Sequence, residues 1–242
     1  MSIRLEIQTR LRNNPWIMAT AWKHRFRLGI LQDKSRRRLA EPDDEVVIDG
    51  YPRSANTFAC DAFSIAQGRE VKMGNHFHSP AQFALAAKYR VPAMLVLREP
   101  VAAALSWVVF SEGTISAADT LRNYIQFHRP LVRIAGQFVI APFEEVTTDF
   151  GQSIDRLNAH FGTAFARFEH TDESAAEIFQ WMEHRLKQRE IARGQDLKLR
   201  RNYPSEIKDR KRKEYAASFE SPRVAGLRAE PDALYRELMA SR

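Results

Sequence analysis

Three short apolar runs, each followed closely by a longer amphipathic stretch, constrain the fold of this 242-residue chain more than any other feature. They are Val46–Asp49, Ala93–Leu97 and Phe138–Ala141. Runs of four or five aliphatic residues without polar alternation mark strands buried on both faces. The stretches Thr57–Gln67, Pro100–Phe110, Ser116–Ile134 and Thr148–Phe161 follow these runs with helical periodicity. Pro100 stands near a helix start, where proline is tolerated. Glu70–Met73 reads as a further short strand, and Pro80–Tyr89 and Asp172–Ala192 as helices. Strand–helix alternation of this kind predicts an α/β fold, a central parallel sheet flanked by helices.

Hydrophobic residues at 44% and aromatics at 10% exclude a mainly disordered chain. The one cysteine, Cys60, excludes an intrachain disulfide framework and a cysteine-rich zinc fold. No apolar run approaches the ~18 residues of a membrane span, and the N-terminus lacks the pattern of a signal peptide. A cytoplasmic protein is therefore expected. The charge is uneven: residues 1–38 hold ten Lys/Arg and two acids, residues 39–192 fourteen and twenty, and residues 193–213 nine and three. Residues 1–45 thus read as a basic helical segment and linker before the main domain, 46–242. The basic face around Trp16 and Trp22 would suit either packing on the core or peripheral contact with a membrane surface. Residues 193–213 carry no recognised nucleic-acid motif, so no nucleic-acid partner is expected.

The first strand runs into GYPRSANT and then a helix, the context in which backbone N–H groups and a helix N-terminus cradle an anion. Against the nucleotide-hydrolase pattern G-x-x-x-x-G-K-[ST], Gly50 and Thr57 are in register. Ala55 replaces the second glycine and Asn56 the lysine, while a basic residue, Arg53, lies inside the loop. Without the lysine, nothing neutralises the β- and γ-phosphates of ATP. The loop therefore points to a phosphate ligand but not to ATP hydrolysis.

YPRSANTF resembles the 5′-phosphosulfate loop of sulfotransferases that use 3′-phosphoadenosine 5′-phosphosulfate (PAPS). The resemblance implies a P-loop-like sulfotransferase fold, with Arg53, Ser54, Ala55, Asn56, Thr57 and Phe58 as loop positions at the 5′ end of the nucleotide. Ala55 would resist a positive φ if the loop requires one. The second motif is LREPVAAALSW, in which Arg98 and Ser106, eight residues apart, match the family's 3′-phosphate ligands. A third is FVIAPFEEV, in which Phe143 matches an aromatic near the adenine and Glu144 and Glu145 the acids after it. The family's late basic motif is absent; Arg200, Arg201 and Tyr203 stand in its place by position and charge.

The resemblance implies transfer of a sulfonate from PAPS to a hydroxyl or amine acceptor, with no metal. Such a transfer needs a base for the acceptor's proton, cations on the sulfonate and in-line positioning. The segment VKMGNHFHSP offers His76 and His78, with Lys72 upstream. His76 lies 22 residues before Arg98, the family's spacing for a histidine base, but Lys72 precedes it by four residues rather than the family's two. His76 is the preferred base, with His78, Glu144 and Glu145 as alternatives. The two histidines could also ligate a metal or be structural. A nucleotide-dependent kinase of the same superfamily and a catalytically degenerate nucleotide-binding protein are the other functional readings. Neither the acceptor nor the oligomeric state is readable.

Overall fold

The computed structural model describes residues 11, 13–24, 38–194 and 205–242. Arg200, Arg201 and Tyr203 lie outside the described residues. After helix α1 (Pro15–Lys23), the chain alternates strand and helix: β1 (Val46–Gly50), α2 (Asn56–Gln67), β2 (Met73–Asn75), α3 (Ala81–Tyr89), β3 (Ala93–Leu97) and α4 (Pro100–Phe110). Then come α5 (Ala117–Val132), β4 (Val139–Pro142), α6 (Phe143–Thr148), α7 (Phe150–Phe161) and α8 (Asp172–Arg193). The last helices are α9 (Glu206–Ala216), α10 (Pro222–Ala225) and α11 (Ala229–Ala240).

The four strands form one parallel sheet in the order β2-β1-β3-β4. Its side chains divide cleanly between two cores. Val47, Leu95, Leu97 and Ile140 point into one face, covered by Phe83 of α3, Tyr124, Phe127 and Leu131 of α5, and Leu238 of α11. Val46, Ile48, Met94, Val96 and Val139 point into the other, covered by Phe58 and Phe63 of α2, Ile154 and Leu157 of α7, and Ile178 and Met182 of α8. Alternation along each strand thus feeds two buried faces, which is why the strand sequences are apolar throughout. Trp22 carries α1 into the first core, and its indole N–H donates to Glu41 at 3.2 Å.

Two elements depart from the sequence expectations, and the expected helix over 116–134 keeps its course through a proline. Strand β2 occupies Met73–Asn75, not Glu70–Met73. Gly74 is closely packed there: a Cβ would lie 3.1 Å from Val47 Cγ2 and 3.2 Å from the Asp44 carboxylate. Helix α5 runs through Pro130, whose missing N–H frees the Gln126 carbonyl. Asn13 Nδ2, beside α1, donates to that carbonyl at 3.2 Å. The expected helix over 148–161 starts at Phe150, and the residues before it form the separate helix α6, with Asp149 between them.

Candidate functional site

The loop Tyr51–Ala55 leaves β1 at the carboxyl end of the sheet, where ligands of open α/β sheets bind. Gly50 is sterically required at its start, because a Cβ would lie 2.2 Å from the Val96 carbonyl oxygen. Tyr51 anchors the loop in the core: its hydroxyl donates to the Thr120 carbonyl at 2.6 Å, and its ring meets Trp107, Tyr124 and Phe127 edge-on. Arg53 and Ala55 adopt left-handed backbone, at φ 73° and 70°. Ala55 does take the positive φ that its side chain disfavours. Six non-glycine residues among those described have positive φ, and four of them, Arg53, Ala55, His76 and His78, lie in the two segments that leave β1 and β2. Strain held in this way clusters at functional sites.

The loop ends at α2, whose N-terminus has no side-chain cap. The Ser54 hydroxyl is fully buried and meets no partner among the described residues. An uncapped helix N-terminus beside a buried, unsatisfied hydroxyl is a donor set for an anion. The neighbouring helix α4 is different, because the Glu99 carboxylate accepts from Val101 N and Ala102 N and closes its N-terminus. Asn56 does not turn its amide to a ligand, as its sequence position implies. Its Nδ2 donates to the Tyr51 carbonyl at 2.9 Å and so ties the loop to the helix. Phe58 is also displaced from the expected site; it is buried against Phe168, His170 and Phe179. Thr57 lies in the first turn of α2, half-buried.

The second motif converges on the first. Arg98 Nη1 donates to the Arg53 carbonyl at 2.8 Å, and Arg53 Nε lies 3.5 Å from Ser106 Oγ. Tyr124 fixes Arg98 from behind by donating its hydroxyl to the Arg98 carbonyl at 2.8 Å. The Arg98 guanidinium stacks 3.9 Å from the Phe143 ring, and that of Arg53 lies 4.7 Å from Phe110. A third guanidinium, Arg212 of α9, acts on both. Burial first, then Arg98 and Arg212, pushes the Arg53 pKa down to about 10. Burial first, then Arg212, pushes Arg98 down to about 10, against the opposing charges of Glu144 and Glu99. Both arginines remain charged at neutral pH, so the site holds three like charges close together.

Arg212 is absent from the sequence-based candidates because IKDRKRKE reads as a solvated charged helix. The signal available was its place in the late basic segment. Helix α9 packs on α4, with the Tyr215 ring against Gly113, where a Cβ would lie 3.0 Å from the tyrosine oxygen.

The segment after β2 also reaches the loop. His78 Nδ1 lies 2.8 Å from the Gly50 carbonyl and 3.0 Å from Asp49 Oδ1, and the His76 ring is 5.8 Å from that of His78. Lys72 is not brought to these residues. It precedes β2 at the amino end of the sheet and pairs with Asp43 and Glu41. Glu145 is committed to structure: it is buried, with Arg156, Arg242 and the Ser153 hydroxyl on its carboxylate. Glu144 is exposed. Among the described residues no group of three or more His, Cys, Asp or Glu side chains is arranged to hold a metal ion, and no helix is long and apolar enough to cross a membrane. A recess of about 360 Å³, lined by Trp107, Phe110, Ser111, Glu112, Thr114 and Ile115, opens beside Arg53 and Tyr51.

No family model and no curated protein sequence matches the chain. Among solved structures, a mouse sulfotransferase, SULT7A1, complexed with PAP aligns over 84% of this chain and 90% of its own, at 12% identity and a TM-score of 0.40. That likeness is loose and says nothing of this chain's chemistry.

Proposed function

We propose that this chain is a sulfotransferase that binds PAPS and passes its sulfonate to a hydroxyl or amine acceptor. The observation that carries the reading is the gathering of Arg53, Arg98 and Arg212 around a strained loop with a buried, unpartnered Ser54 hydroxyl and an open helix N-terminus. Such a donor set suits a small ligand with phosphate charge at two places. The loop amides, Ser54 and Arg53 serve the 5′ end. Arg98, Ser106 and Arg212 serve the 3′-phosphate, and the Phe143 ring lies beside the nucleotide base. One histidine of the His76–His78 pair takes the acceptor's proton. The recess walled by Trp107 and Phe110 offers an apolar surface to the acceptor.

Two features weigh against a kinase. The loop has no lysine, and the residue in its place, Asn56, is turned to loop carbonyls. Calorimetric titration with adenosine 3′,5′-bisphosphate, ADP and ATP tests the proposal. The bisphosphate should bind at least tenfold more tightly than either, and PAPS should sulfonate members of an acceptor panel. Preference for ATP would refute the proposal. Tight bisphosphate binding with no transfer to any acceptor would reduce the chain to a nucleotide-binding protein.

A further inference from the structure

Asp49 is the penultimate residue of β1 and is fully buried at the edge of the site. Its carboxylate is spent on the histidine segment. Oδ2 accepts from the backbone N–H of Phe77 at 2.8 Å and of His78 at 2.9 Å. Oδ1 accepts from Gly50 N at 2.8 Å and lies 3.0 Å from His78 Nδ1. The carboxylate therefore shapes the left-handed turn at His76 and His78, with φ 54° and 52°, and also meets the ring of His78.

The ring contacts leave no freedom in the tautomer. Both atoms near Nδ1, the Gly50 carbonyl oxygen and Asp49 Oδ1, are acceptors, so Nδ1 must carry a proton. The lone pair then belongs to Nε2, on the opposite edge of a ring whose side chain is 24% exposed. A buried carboxylate that fixes the imidazole in this tautomer, and balances the imidazolium formed later, is the arrangement that makes a histidine an effective base.

We propose that Asp49 is a positioning residue that holds the His78 proton on Nδ1, so that His78 Nε2 is the general base of the site. This assignment rests on the sulfonate-transfer reading above. In the step it serves, the acceptor's proton moves to Nε2 as the acceptor oxygen or nitrogen bonds to sulfur. The bond from sulfur to the bridging phosphate oxygen breaks, and its electron pair stays on that oxygen. His78 is left as an imidazolium facing the Asp49 carboxylate. Burial works against the charge of Asp49, but His78 first and then His76 keep its carboxyl below the usual range, so the carboxylate is ionised at neutral pH. Those two histidines are the titratable groups that act on it.

The tautomer is read directly in the intact protein by long-range ¹H–¹⁵N correlation after ¹⁵N-histidine labelling. His78 should show a pyrrole-like Nδ1 and a pyridine-like Nε2; a protonated Nε2 with bare Nδ1 would overturn the inference. Kinetics with PAPS provide the second arm. His78→Gln should lower kcat by about 10²–10⁴-fold while adenosine 3′,5′-bisphosphate binds within twofold of wild type, and His76→Gln should cost less. The reverse order would overturn the assignment. Asp49→Asn should lower kcat and let the His78 ring mix its two tautomers in the same spectrum, because one of the two acceptors on Nδ1 is lost; a variant that only loosened the fold would leave the tautomer unchanged, and that result would overturn the positioning role. If Asp49→Asn fails to fold, the wild-type spectrum and the two glutamine variants still decide. Failure of the sulfotransferase reading is visible in the wild type, as absent transfer, whereas failure of this inference is visible only in the spectrum and the variants.

Discussion

Arg212→Ala should weaken binding of adenosine 3′,5′-bisphosphate substantially while leaving the ligand-free protein no less stable. The two effects have one origin. Without ligand, Arg212 adds its charge to Arg53 and Arg98 and contributes, after burial, to the depression of both pKa values to about 10. Removing it relieves that repulsion. The contact given up is an ion pair with Asp209, one turn away at 3.1 Å on the helix surface, and such a pair contributes only about 0.2–0.5 kcal/mol. With ligand, the same guanidinium supplies charge-assisted hydrogen bonds of about 1.5–3 kcal/mol. At 1.4 kcal/mol per decade, that is a loss of about 10- to 150-fold in affinity.

The assay is calorimetric titration of wild type, Arg212→Ala and Arg212→Lys with the bisphosphate and with adenosine 5′-phosphate, paired with thermal unfolding of the free proteins. If Arg212 serves the 3′-phosphate, the loss is larger for the bisphosphate, and lysine, a point charge without the fork, restores part of it. Bisphosphate affinity within twofold of wild type would remove Arg212 from the site. Equal losses for both ligands would assign it to the 5′ end. A fall of several degrees in the melting temperature of the free Ala variant would refute the electrostatic reasoning.

His128 is fully buried, with Nδ1 on the Tyr124 carbonyl at 2.9 Å, and burial pushes its pKa down to about 3. The folded protein keeps it neutral while the unfolded chain protonates near pH 6.5, so stability from this group is full above that pH and is lost as pH falls toward 3. By pH 5 the loss is about 2 kcal/mol, and urea unfolding of His128→Gln should lack that part of the pH dependence; parallel curves would refute it. Ala55→Gly should stabilise the protein by about 0.5–1 kcal/mol in chemical denaturation, since relief of the left-handed φ outweighs the added freedom of the unfolded chain; a destabilised variant would mean that the Ala55 methyl packs better than its φ suggests. Asn13→Ala should cost about 1 kcal/mol by leaving the Gln126 carbonyl without its donor. In a Pro130→Ala background, where the helix regains its own N–H, the same change should be close to neutral, and equal costs in both backgrounds would show that the proline is not the reason for the contact.

The parts of the fold legible in the sequence are those where one physical requirement acts alone. Strands β1, β3 and β4 must be apolar on both faces, so the runs Val46–Asp49, Ala93–Leu97 and Phe138–Ala141 declare them. Strand β2 was less legible because Gly74, a poor strand residue, answers a packing constraint from Val47 and Asp44 on other segments. The long helix α5 was legible in spite of Pro130, but the donor that takes up the freed carbonyl was not, because Asn13 lies more than a hundred residues away in sequence. The site divides in the same way. Arg53, Arg98 and Ser106 are legible because each follows a strand at a set spacing, and the fold brings the three together. Lys72 fails because spacing alone does not say which end of a strand a residue will occupy, and it sits at the wrong one.

Asp49 and Arg212 show what pattern reading misses in such a site. Asp49 ends an apolar run and looks like a simple strand boundary, yet it is fully buried and accepts from three backbone N–H groups. A buried carboxylate at the end of a core strand is costly unless its partners are built around it, so its presence in VVIDG is itself a sign that some nearby segment is organised by it. Arg212 looks like one cation among many in a charged helix, and net charge cannot single it out, because the acidic body of residues 39–192 holds the other two arginines of the cluster. The basic pI near 9.7 is therefore a property of the terminal segments taken as a whole. Among the described residues, the proposed anion site draws Arg212 from them and takes Arg53 and Arg98 from the interior, where low dielectric makes each guanidinium count for more.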